Sequence, residues 1–206
     1  MKLSTLITLF LVSINSVGQI PSDILEFKNG QTQKFTSDGS GKSQGLKFSI
    51  KYPQSYKAKE GDRPHVVQKF QNSNNDCDII VIVMKLPQEY STSEKRELLS
   101  KQSMQDMLPE TAKLVGATDG LIIEGEPAGF IESYLQRKTV VGDQTITVRA
   151  YSRMYCMVYK NFLIQINFGV GSVTQSDLAL KQKFDSYKAL FSYVVNSFIL
   201  ISKWQP

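Results

Sequence analysis

The chain has 206 residues, of which 41% are hydrophobic and 21% charged, with two Cys, one His and one Trp. That is the size of one domain, or one domain with an extra arm, and this composition excludes wholesale disorder. One His and two Cys cannot build a classical structural zinc site or a disulfide-dense scaffold, and they leave few routes to a catalytic centre. The net charge of +5 comes from 19 Lys and 5 Arg, scattered without a run of five like charges. RNP and Arg-rich patterns are absent, so no nucleic-acid partner is expected.

Met1 and Lys2 precede an apolar stretch, 3–12, broken only by Ser4, Thr5 and Thr8. Ser16 and Gly18 then occupy the −3 and −1 positions of a signal-peptidase site, so residues 1–18 read as a secretory signal, with Gln19 as the new terminus. The run is too short and too rich in Ser and Thr to span a bilayer, which takes ~20 apolar residues. No Cys follows the site, so no lipid anchor is expected there, and no later segment is long and apolar enough to span. The mature chain is expected to be a soluble periplasmic or extracellular protein. Loss of Lys2 lowers its charge to +4, a mildly basic surface that serves solubility.

Residues 19–44 read as a polar arm. Within it Asn29-Gly30, between 24–28 and 31–35, is a hairpin signal, and the Gly/Ser-rich stretch 36–43 reads as a flexible link. A single domain is expected over 45–206. Its first strand, 46–52, alternates strictly (Leu46, Phe48, Ile50 and Tyr52 against Lys47, Ser49 and Lys51) and stops at Pro53. A polar loop, 56–63, leads to a second strand at 65–70. Residues 71–76 form a turn, and 79–86 is apolar on both faces, as in a covered central strand.

After Pro87, Ser91 and Glu94 fit a capping box that opens one helix, 94–108, ended by Pro109. A meander follows, with strands near 113–125, 129–140, 144–159 and 162–169. Ser176 or Asp177 caps a last helix running to about Asn196, with Phe184, Tyr187, Leu190, Phe191, Val194 and Val195 on its buried side. Strands, a helix, more strands and a helix predict an α+β fold, a central antiparallel sheet with helices packed on its faces.

The strand at 45–53, ending in Tyr52-Pro53 with Tyr56 soon after, resembles the opening strand of the PsbP-like superfamily. That group includes the photosystem II extrinsic P protein, a Ran-binding nuclear import factor, and exported bacterial proteins of the LpqN and DcrB kinds. The Gly-Glu-Pro-Ala-Gly hinge at 125–129, the strand 162–168 and the closing helix with its Ser197-Phe198 end are similar in order to that family. The resemblance implies an α/β/α sandwich with binding or assembly roles. It supplies no catalytic, cofactor or metal residue.

The candidates for chemistry are few. His65 lacks a motif partner, and no Gly-x-Ser-x-Gly elbow presents a serine. Asn74, Asn75, Asp76 and Asp78 offer oxygen ligands but lack the Gly and distal acid of a calcium loop, and read as a turn. Cys77 and Cys156 are either a disulfide, favoured by export, or two buried thiols. Arg149, Tyr151, Arg153, Tyr155 and Tyr159 form a row on one face of a strand. That row is either a recognition face or a surface roofed by the last helix. The expected function is an exported, non-enzymatic binding or assembly module of the bacterial envelope, with an envelope protein or small ligand as partner and no cofactor. The alternatives are a hydrolase or small-ligand enzyme using the carboxylates Glu124, Glu126 and Glu132, and a structural envelope protein.

Overall fold

The period-2 segments of the chain become one antiparallel sheet in the computed structural model, which describes residues 20–74 and 77–204. The expected signal, 1–18, lies outside the described residues, as do Asn75 and Asp76 of the turn. The sheet holds β3 (Lys57–Glu60), β4 (Val66–Gln71), β5 (Cys77–Lys85), β6 (Ala112–Ile123), β7 (Glu126–Val141), β8 (Gln144–Tyr159) and β9 (Phe162–Ser172). Their spatial order is β3-β4-β5-β9-β8-β7-β6. The last strand of the meander, β9, inserts beside β5 and makes both central.

A front layer covers one face. It comprises α4 (Asp177–Asn196) and the hairpin of β1 (Thr32–Asp38) with β2 (Lys47–Pro53). Ile79, Val81 and Val83 of β5 and Ile164, Ile166 and Phe168 of β9 are buried here in one cluster with Phe184, Leu190, Phe191 and Val194 of α4. Phe168 stacks on Phe191 at 4.6 Å between ring centres. Each such side chain contributes roughly 1.5–3 kcal/mol by leaving water.

Behind the sheet, among the described residues, lie α2 (Thr92–Leu98) and α3 (Lys101–Asp106), over Ile131, Met154, Cys156, Val158 and Leu163. The capping box at Ser91 and Glu94 forms, but the single helix expected over 94–108 is two. Ser100 leaves the helical conformation and caps α3, its hydroxyl accepting from the Ser103 N–H. The break turns Met104 onto the sheet at Gly129, where a Cβ would stand 2.7 Å from Met104 Cε and 2.9 Å from Thr118 O. Gly129 is the seat that lets α3 approach.

The arm expected over 19–44 is folded into the domain. Residues 24–28, expected as one side of a hairpin, belong to α1 (Ser22–Lys28). Asn29 caps the C-terminus of α1, and Gly30 follows at φ +74°, so the pair ends a helix instead of turning a hairpin. Buried Asp23 Oδ2 accepts from Tyr56 Oη at 2.9 Å and from Tyr187 Oη at 3.4 Å, tying α1 to the core. The Gly/Ser stretch supplies part of β1, paired along its length with β2, and a 3₁₀ turn at Gly41–Ser43. β3 forms within the loop expected over 56–63 and shows no apolar alternation, because Lys57-Ala58-Lys59-Glu60 is wholly exposed. Its charges suit an edge strand, where they discourage pairing with another chain. A short α5 (Ile201–Trp204) ends the described chain.

Candidate functional site

The Arg and Tyr row of β8 faces the front layer and is roofed by α4, which removes it as a recognition face. Arg153, Tyr155 and Tyr159 are buried, and Arg149 and Tyr151 half-buried. Arg153 pairs in register with Glu132 of β7 and donates from Nε to Glu132 Oε1 at 2.9 Å and from Nη1 to Tyr155 Oη at 3.0 Å. Its guanidinium also lies 4.4 Å from the Phe130 ring centre. Lys188 descends from α4 to Glu132, 3.1 Å away, and continues to Asp185 at 2.8 Å. Burial works against the Lys188 charge, but hydrogen bonds to Asp185 and Glu132 outweigh it and raise its pKa. Arg149 meets Asp177 at the start of α4 at 2.9 Å, Tyr151 packs on Phe184, and Tyr159 donates to Ser202 O. The row clamps a helix to a sheet.

Of the carboxylates expected for hydrolysis, Glu132 stands apart from Glu126, and all three are held by partners within the fold. Glu126 and Glu132 are six residues apart on β7, about 20 Å at ~3.4 Å per residue, whereas paired glycosidase carboxylates need ~5–9.5 Å. Glu126 is spanned by two cations, Lys203 at 2.8 Å and Lys95 at 3.1 Å. Burial pushes its pKa up, but those lysines more than reverse the effect and hold it below the ordinary value. Glu124, at φ +53° in the turn before β7, accepts from Trp204 Nε1 at 3.2 Å and Leu200 N at 3.4 Å. All three acids fasten the closing helix and the C-terminal segment to the sheet.

Cys77 and Cys156 do not form the disulfide. Cys77 belongs to the front cluster and Cys156 to the back one, so the sheet stands between them. Burial pushes the Cys156 thiol up to about 12. His65 is exposed, its Nδ1 3.4 Å from Gln44 Nε2. Asp78, from the turn weighed as a cation loop, ion-pairs with Lys69 at 3.0 Å.

One surface went unread in the sequence. α2 and α3, of 7 and 6 residues, leave part of the back face uncovered. By register this open part runs across Asp78, Gly169 and Ser152, then Gly171, Ala150 and Leu135, then Val148 and Arg137. A cleft of about 480 Å³ lies over Gly169, Gly171, Ala150 and Val148. Another of about 300 Å³ lies beyond it at Lys57, Lys59 and Gln71. The sequence signal is Gly169 and Gly171, two glycines on one face of a strand whose other face is apolar from Phe162 to Val170.

Helices on both faces of an antiparallel seven-stranded sheet define an α+β sandwich. No family model and no curated protein matches the chain. Solved structures similar to it include LpqN of Mycobacterium tuberculosis, described as involved in cell envelope biogenesis. That protein is 9% identical over 84% of this chain and 92% of LpqN, with a TM-score of 0.47. The Ran-binding protein Mog1p of Saccharomyces cerevisiae is 10% identical over 82% of this chain and 95% of its own, with a TM-score of 0.45. A Bacteroides thetaiotaomicron protein is 14% identical over 82% of this chain, with a TM-score of 0.41. This chain spans about half of that protein, 48%. Among the described residues, no helix is long and apolar enough to cross a membrane.

Proposed function

We propose that the protein is an exported binding or assembly module of the bacterial envelope, without covalent chemistry of its own. The observation that carries this reading is the use made of the ionisable side chains. Glu124, Glu126, Glu132, Arg149 and Arg153 hold α4 and the C-terminal segment in place, and both thiols are buried. A general acid or base must reach a substrate, and these groups face the interior or each other. His65 is exposed but has no nucleophile in its hydrogen-bond contact. Export rests on the leader at 1–18, whose three-part pattern is that of a secretory signal.

Two measurements test this. The N-terminal sequence of protein recovered from the culture or envelope should start at Gln19, and a start at Met1 would overturn export. The mature chain should retain a defined envelope protein at a fixed stoichiometry and leave ester, glycoside and phosphate substrates unchanged. Turnover of any of them, abolished by Glu124→Gln or Glu126→Gln, would replace this reading with the hydrolase.

A further inference from the structure

We propose, resting on the binding-module reading, that the open part of the back face docks an amphipathic helix of a partner protein, apolar along one stripe and acidic on both flanks. Over its central strands the front face is layered by α4 and the β1–β2 hairpin, but among the described residues the back face carries two short helices at one end. A sheet in a sandwich buries a face against another layer, and the described residues supply only part of that layer here. The floor is low and flat. A Cβ placed on Gly169 would meet nothing within 4 Å, and Gly171, Ala150 and Ser152 continue this floor. Val148, Leu135 and Ile80 are half-buried around it, and Val173 is 52% exposed at its rim.

The charges on the two margins select the partner. Lys57 and Lys59 of β3 and Lys69 of β4 lie along one side, and exposed Arg137 of β7 on the other. Asp78 answers Lys69 alone. Lys59 reaches only the neutral Gln71, and Lys57 and Arg137 have no ion pair among the described residues. The margins are five strand spacings apart, about 24 Å at ~4.8 Å each. A helix with its side chains is ~10–12 Å across, and the long Lys and Arg side chains of the margins reach inward over the remaining ~6 Å on each side. An extended strand would use a sheet edge, not a face. A second copy would bring the same cations to the same margins and be repelled.

The test uses the mature chain in cells, with the photo-crosslinker benzoylphenylalanine in place of Val148, and in a parallel strain in place of Leu178 on the outer side of α4. The expected result is an adduct at 148 whose partner peptide maps to a helix with acidic flanks. The triple variant Lys57→Glu, Lys59→Glu, Arg137→Glu should lower its yield at least about tenfold at unchanged protein level and circular dichroism. Adducts at 178 alone would overturn this surface while leaving the binding module standing, and no adduct at either position would overturn both. An adduct at 148 to lipid or to a second copy, or one indifferent to the charge reversal, also overturns the proposal.

Discussion

Glu132 and Arg153 stand directly opposite each other in the β7–β8 register and are 6% and 8% exposed, joined at 2.9 Å beneath α4. Lys188 closes over the pair from the helix, so a carboxylate with two cations is sealed between sheet and helix. Removing one member of such a group leaves buried charge uncompensated, which costs more than the intact pair contributes. Arg153→Met should therefore destabilise the fold by about 3 kcal/mol in urea unfolding. The double variant Glu132→Leu with Arg153→Met should recover most of that loss. A double variant as unstable as the sum of its single changes would show that the two residues act independently.

Why this seam was ambiguous in the sequence is a matter of distance along the chain. The alternation of β8 put Arg149, Tyr151, Arg153, Tyr155 and Tyr159 on one face, as observed, and the closing helix was read almost to the residue. Nothing local says which sheet face a helix twenty residues later will cover, and an Arg/Tyr row suits either an interface or a lid. The same limit explains α1. Asn29-Gly30 serves a hairpin turn and a helix stop equally well, because both need a residue at positive φ. What decided was Asp23, whose partners lie 33 and 164 residues away. β3 was illegible because an exposed edge strand needs no apolar alternation.

Asp23 makes the segment before β1 part of the fold. It is 7% exposed and accepts from two tyrosines, one of which, Tyr56, is 2% exposed. Asp23→Ala removes the buried acceptor that both hydroxyls use and should cost about 1–3 kcal/mol, read as a lower urea midpoint at unchanged slope. A chain starting at Leu46, where the alternation begins, loses β1 and α1 and should fail to give a cooperative transition. Cooperative unfolding of that shortened chain would return residues 19–44 to the status of an arm.

The two cysteines should behave as buried thiols even in an oxidising compartment. Intact mass without reductant should show both unbridged, and Ellman's reagent should react with neither until the chain is unfolded. Cys156 adds a pH dependence. Its pKa is raised by burial from 9.0 to about 12, so the unfolded thiol ionises first as pH rises. Its stabilising contribution is complete below pH 9 and is lost between pH 9 and 12. Cys156→Ala should flatten the alkaline decline in stability relative to the parent chain.

Glu126 produces the opposite dependence at acid pH. Lys203 and Lys95 hold its carboxylate below the ordinary value in the folded state, against the effect of burial. The unfolded chain therefore binds this proton first, and the contribution of Glu126 is present above its unfolded pKa and disappears as pH falls through the folded one. Glu126→Gln should lower stability by about 1 kcal/mol at pH 7 and by less at pH 3, so its curve and the parent's converge as acid is added. Lys203 is one of its two cations and also donates to Glu124 O at 2.8 Å, so it joins the turn before β7 to α5. Lys203→Ala should reproduce part of the acid effect and additionally speed amide exchange in residues 199–204. If the acid limb of Glu126→Gln runs parallel to the parent's, Glu126 is not the carboxylate that sets it.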